Sequence, residues 1–70
     1  MSLGTQIKIE RLRRGMMQRD LVEATGISQH YLSLIERDKV LPRTDVLIKI
    51  ADALEVSLDE LVERKVKVQA

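Results

Sequence analysis

Gln29 and His30 are the side chains in this sequence best equipped for polar recognition, and they stand side by side at the start of an expected helix. A glutamine carboxamide donates and accepts, so it can pair bidentately with adenine N6 and N7. An imidazole can donate to guanine N7 or O6, and Leu34, one turn on, can meet a thymine methyl. Other chemistries lack their parts. His30 is the lone histidine and cysteine is absent, so no metal-ligand set or thiol nucleophile can be assembled. A nucleophile–base pair, a cofactor motif and a Gly-rich phosphate loop are all missing, and Asp59, Glu60 and Glu63 read as helix-start charges. The chain is therefore expected to be no enzyme and to carry no cofactor.

These residues need a helix that presents them. Ser28 is placed to cap one: its hydroxyl can accept from free N–H groups of the first turn, and Leu32 and Ile35 supply a buried face. With Leu32 set at zero and roughly 100° per residue, Ile35 and Ser28 fall on the buried side, while His30, Ser33, Leu34 and Arg37 point away. Gln29 reaches outward from the N-terminal end. The helix is expected over 28–37. Before it lie a short helix over Gln18–Ala24 and a turn at Thr25, Gly26 and Ile27, where Gly26 gives the backbone freedom for a sharp change of direction. Two short helices joined by a tight turn within about 20 residues form a helix-turn-helix unit, whose second helix can project into a major groove.

Three further helices complete the reading. The first is expected from Leu3 to Arg14, with Leu3, Ile7 and Arg11 on one face and Gly15 ending it. The fourth starts at Thr44, after Pro42, and carries Leu47, Ile50, Ala51 and Leu54 as an amphipathic stripe. Ser57 and Glu60 form a capping box for the fifth, which directs Leu58, Leu61 and Val62 to the core. Val66 and Val68 alternate with lysines and are read as a frayed tail rather than a strand. The expected class is all-α, with a domain over 1–63 and a basic tail over 64–70. Met1, Ser2 and Leu3 are consistent with a partly vector-derived start.

Composition supports helices packed on helices. The 70 residues are 44% hydrophobic but 1% aromatic, Tyr31 alone, so the core is aliphatic. At this length one core is only marginally adequate. The net charge of +1 hides a division: residues 1–43 hold eight bases against five acids, residues 44–63 one base against six acids, and the tail adds three bases. A basic first half suits a polyanion, although from charge alone ordinary solvated surface is the better reading. Absent cysteine, and with no apolar run near the roughly 20 residues of a membrane span, a cytoplasmic location is expected, with no membrane partner and no evident small-molecule ligand.

The stretch from Gln18 to Val62, QRDLVEATGISQHYLSLIERDKVLPRTDVLIKIADALEVSLDELV, resembles the Cro and repressor (XRE-type) helix-turn-helix proteins. The Gln, Leu, Gly-Ile-Ser, Leu, Ile-Glu, Pro and Ile-Ala elements all fall in register. The resemblance implies a five-helix bundle of the lambda-repressor-like type, binding of double-stranded operator DNA as a homodimer, and a buried ion pair between Arg11 and Glu36. It implies that Ser28, Gln29 and His30 read bases, joined by the outward Ser33 and Leu34, and that Gln18 binds phosphate. Arg37, Lys39 and Arg43 would add counter-charge around the reading helix. The fifth helix and residues 62–70 are the expected subunit contact. Three positions depart from the family pattern: Met17 removes the usual cap of the second helix, Val22 replaces a usual Ala facing the third, and Asp38 replaces a usual Gly after it.

Simpler alternatives stand beside these roles. His30 can be a surface residue, Leu34 a core or partner contact, Ser28 a cap alone, and Arg37, Lys39 and Arg43 solvated charges. At the level of the whole chain, the alternative is a protein-interaction module, such as an antitoxin-like or regulatory domain of a longer protein.

Overall fold

The computed structural model describes residues 2–65, with side chains through residue 62. Five helices follow in order: α1 Leu3–Arg13, α2 Gln18–Thr25, α3 Gln29–Glu36, α4 Thr44–Leu54 and α5 Leu58–Lys65. The architecture is all-α, with no strand among the described residues. The bounds of α1, α2 and α3 lie within a residue of those expected. Arg14 caps α1 instead of ending it, and α2 extends through Thr25, whose buried hydroxyl donates to the Leu21 carbonyl at 2.8 Å. Because α5 runs to Lys65, Arg64 and Lys65 lie on the helix; the Val66–Val68 alternation falls outside the described residues.

Every helix sends at least one aliphatic side chain into the common core: Ile7 from α1, Leu21 from α2, Leu32 and Ile35 from α3, Ile50 and Leu54 from α4, and Leu61 from α5. Each such burial is favourable by about 1.5–3 kcal/mol, so a bundle this small depends on all of them. α1 packs on α3, α4 and α5, while α2 packs on α3 and α4. Two core assignments change. Val46, not Leu47, is the buried residue of the first turn of α4, with Leu47 half-buried against the cluster, and Val62 is 40% exposed instead of facing the core. α5 packs chiefly through Leu61, so its neighbour one residue on turns outward.

The caps explain how helices this short are held. α1 ends in a Schellman motif, with Gly15 at φ 67° and Met16 N–H bonded to the Arg11 carbonyl at 3.1 Å. α3 ends the same way with Asp38 at φ 61°, its own N–H on Ile35 and the Lys39 N–H on Leu34. Asp38 gains something glycine could not supply: its carboxylate accepts from Ser2 Oγ at 2.5 Å and Gly4 N–H at 3.1 Å, thereby capping α1 from the end of α3. Ser2 also accepts from Thr5 N–H, and Leu3 is buried, so both belong to the fold. The cap missing at Met17 is partly replaced, since Asp20 reaches back to accept the Met17 N–H at 2.8 Å. At α5 both halves of the Ser57–Glu60 box form, at 3.0 and 3.1 Å.

Candidate nucleic-acid interface

Gly26, at φ 79°, turns the chain between α2 and α3 within three residues, and its N–H closes on the Val22 carbonyl at 2.8 Å. Ser28 then caps α3 in extended backbone, accepting the Tyr31 N–H at 3.0 Å. Ser28 is exposed, so it holds the helix through this bond and not by burial; Leu32, Ile35 and Glu36 form the buried side. Gln29, His30 and Arg37 are exposed. Ser33 and Leu34 are half-buried, so the open arc of α3, which packs on both α1 and α2, is narrower than an isolated wheel suggests. Leu34 does not pack on the core cluster.

The segment after α3 is tied back to the helix. Lys39 N–H bonds to the Leu34 carbonyl at 2.9 Å, Arg37 Nε donates to the Ser33 carbonyl at 3.4 Å, and the Arg43 N–H reaches the Tyr31 hydroxyl at 3.4 Å. Tyr31, half-buried against the core, thus anchors the start of α4 to α3. Sequence reasoning passed it over, though its being the single aromatic was a usable signal. Lys39 and Arg43 are exposed, and neither they nor Arg37 has a carboxylate partner among the described residues. Arg19, exposed one residue after Gln18 and likewise unpaired there, was also not singled out. Val40 and Leu41 lie in the same loop, Leu41 at 70% exposure.

Behind this edge is a polar network. Arg11 Nε and Nη2 donate to the two Glu36 oxygens at 2.8 and 3.1 Å, and both side chains are more than nine-tenths buried. Arg11 Nη1 donates to the Met16 carbonyl at 2.8 Å, and Gln18 Nε2 donates to Glu36 Oε1 at 3.1 Å. Gln18 is half-buried at the first position of α2. One bidentate pair therefore joins α1, the α1–α2 loop, α2 and α3, a geometry in which a guanidinium matches a carboxylate and lysine would not.

The helix-turn-helix family model matches residues 7–61, the region that contains all of this. The chain belongs to the helix-turn-helix family of the Cro and repressor (XRE) type. Among relatives, it is 39% identical over 61 residues to the HTH-type transcriptional regulator ImmR of Bacillus subtilis, covering 87% of this chain and 48% of that one. It is 35% identical over 66 residues to the ImmF control region 10 kDa protein of Bacillus phage phi105, covering 94% and 73%. The chain spans about half the length of the first relatives it matches. Among solved structures, the P22 c2 repressor in complex with a synthetic operator superposes with a TM-score of 0.82 at 28% identity, covering 87% of this chain and 92% of that one. SinR in its complex with SinI gives 0.85 at 32%, covering 97% and 67%. The fold of this family member is thus the bundle of the phage repressors.

Proposed function

We propose that this chain is the sequence-specific, double-stranded-DNA-binding part of a transcriptional regulator, a repressor, which sets α3 into the major groove of a short palindromic operator. The observation that carries the reading is the open edge of α3, where Ser28, Gln29 and His30 lie exposed at the N-terminal end of the helix. The likeness to an operator-bound P22 c2 repressor supports it. Gln29 and His30 supply the donors and acceptors that distinguish base pairs, joined by Ser33 and Leu34. Gln18, Arg37, Lys39 and Arg43 act on phosphates, which fixes register without reading sequence.

One module offers few base contacts, so two chains on half-sites about one helical turn apart are the expected assembly, joined through α5 and residues 62–70. The protein works in the cytoplasm, without a cofactor or small-molecule ligand. Selection of duplexes from a random pool tests the reading directly. The unmodified chain should enrich a palindrome and sediment as two chains per duplex, and Gln29→Ala with His30→Ala should abolish the preference. Unchanged affinity of that variant for the enriched duplex removes the base-reading assignment.

The alternative, a protein-interaction module, draws support from the likeness to SinR solved with SinI and from the exposure of Leu41. Partner capture that survives nuclease treatment favours it over DNA binding.

A further inference from the structure

Glu36 is buried, and one of its oxygens is shared. Oε1 accepts from Arg11 Nη2 at 3.1 Å and from Gln18 Nε2 at 3.1 Å, while Oε2 takes Arg11 Nε. An ionised carboxylate only accepts, so the Gln18 carboxamide has one permitted orientation, nitrogen toward Glu36. That bond uses one of its two N–H groups. The second N–H and the carbonyl oxygen have no partner among the described residues, and the side chain is half-exposed at the start of α2. We propose that Glu36 is a positioning residue for DNA: held by Arg11, it locks the Gln18 carboxamide so that the free N–H is already aimed at a backbone phosphate.

The inference rests on the DNA-binding reading above and adds to it a role for the buried pair beyond folding. A glutamine ordinarily gives up rotamer freedom when it binds. One clamped in advance has surrendered it during folding, so the contact is tighter by about threefold to tenfold per chain. The clamp is built on the last residue of the reading helix, which also fixes the phosphate contact relative to the base contacts of α3.

The test compares four chains of full length: unmodified, Gln18→Ala, Arg11→Met with Glu36→Leu, and all three changes together. The Met–Leu pair replaces the ions with apolar side chains of similar size and so preserves the α1–α3 packing; Arg11→Leu with Glu36→Met, which likewise leaves no oxygen to accept from Gln18, serves as a second lesion should that pair fail to fold. Affinity is measured, at a temperature where circular dichroism shows each chain folded, on a duplex enriched by the unmodified chain and on a mixed-sequence duplex. In parallel, NMR follows the Gln18 side-chain amide. The expected result is that losing the clamp weakens both duplexes by the same threefold to tenfold. The Gln18 amide signals then collapse to solvent-exposed positions, and Gln18→Ala adds little in the clamp-free chain. Independent, multiplicative losses in the cycle overturn the proposal, as does an amide signal unmoved by loss of Glu36. A chain that binds neither duplex overturns the DNA-binding reading itself, whereas binding that responds to Gln29→Ala but not to Gln18→Ala overturns only the clamp.

Discussion

At the residue scale, the contact between Gly4 and the end of α3 decides how the N-terminus is held. A Cβ on Gly4 would press into the Ile35 carbonyl oxygen, with Asp38 Oδ1 at 2.6 Å and the Glu36 carbonyl oxygen at 3.0 Å. Helix propensity alone favours Gly4→Ala by about 1 kcal/mol. Backbone oxygens cannot move aside as a flexible side chain would, so the substitution is expected to destabilise by about 1–3 kcal/mol in urea denaturation; a gain in stability would show that α1 can slide off α3 without loss. Asp38 gives the complementary prediction. Asp38→Gly relieves the φ of 61° but removes the acceptors of Ser2 Oγ and the Gly4 N–H, and Asp38→Ala loses the acceptors without relieving φ. Asp38→Ala should therefore lower stability by about 1–2 kcal/mol and Asp38→Gly by less, an order that thermal melts of the two variants resolve.

At the element scale, α1 carries the fold's least visible helix signal and its most consequential contact. Its buried arc runs through Leu3, Gly4, Gln6, Ile7, Glu10 and Arg11. Half of that arc is polar, so the hydrophobic periodicity that marks α4 is erased in α1. Glu10 is buried because Gln6 Nε2 at 2.9 Å and Arg14 Nη1 at 2.7 Å satisfy its oxygens, and Arg11 because Glu36 does. Removing one partner of the Arg11–Glu36 pair leaves the other charged and buried, so Glu36→Ala should cost about 3–5 kcal/mol. Replacing both by Met and Leu should cost far less, and equal losses in chemical denaturation would mean that the pair itself, not the orphaned charge, supplies the stability. The turn at Gly26, the cap at Ser28 and the Ser57–Glu60 box are local in sequence and were legible. The Asp38–Gly4 cap, the Gln18–Glu36 bond and the Tyr31–Arg43 tie span 34, 18 and 12 positions, so no window of one helix contains them. The partial burial of Ser33 and Leu34 was not legible for a related reason: a single-helix projection contains none of the neighbouring chain that packs around α3.

At the scale of the whole molecule, the net charge of +1 says little about affinity for a polyanion, because the acids and bases occupy different stretches of the chain. Six of the eleven acids lie in 44–63, on α4 and α5 and the turn between them, whereas Arg19, Arg37, Lys39 and Arg43 lie on or beside the helix-turn-helix unit without carboxylate partners among the described residues. An unpaired cation near a duplex releases a condensed counterion when it neutralises a phosphate, and each such contact contributes about 0.9 to the slope of log affinity against log salt. Lys39→Ala together with Arg43→Ala should therefore weaken binding to enriched and mixed-sequence duplexes alike and flatten that slope by about two. Gln29→Ala removes no charge. It should leave the slope where it was while reducing the difference between the two duplexes, since His30 still reads. Fluorescence anisotropy titrations across a salt series measure both quantities on the same samples. A slope that stays unchanged on loss of Lys39 and Arg43 would place those side chains in solvent, and would assign the electrostatic part of binding to the cations of α2 and the end of α3.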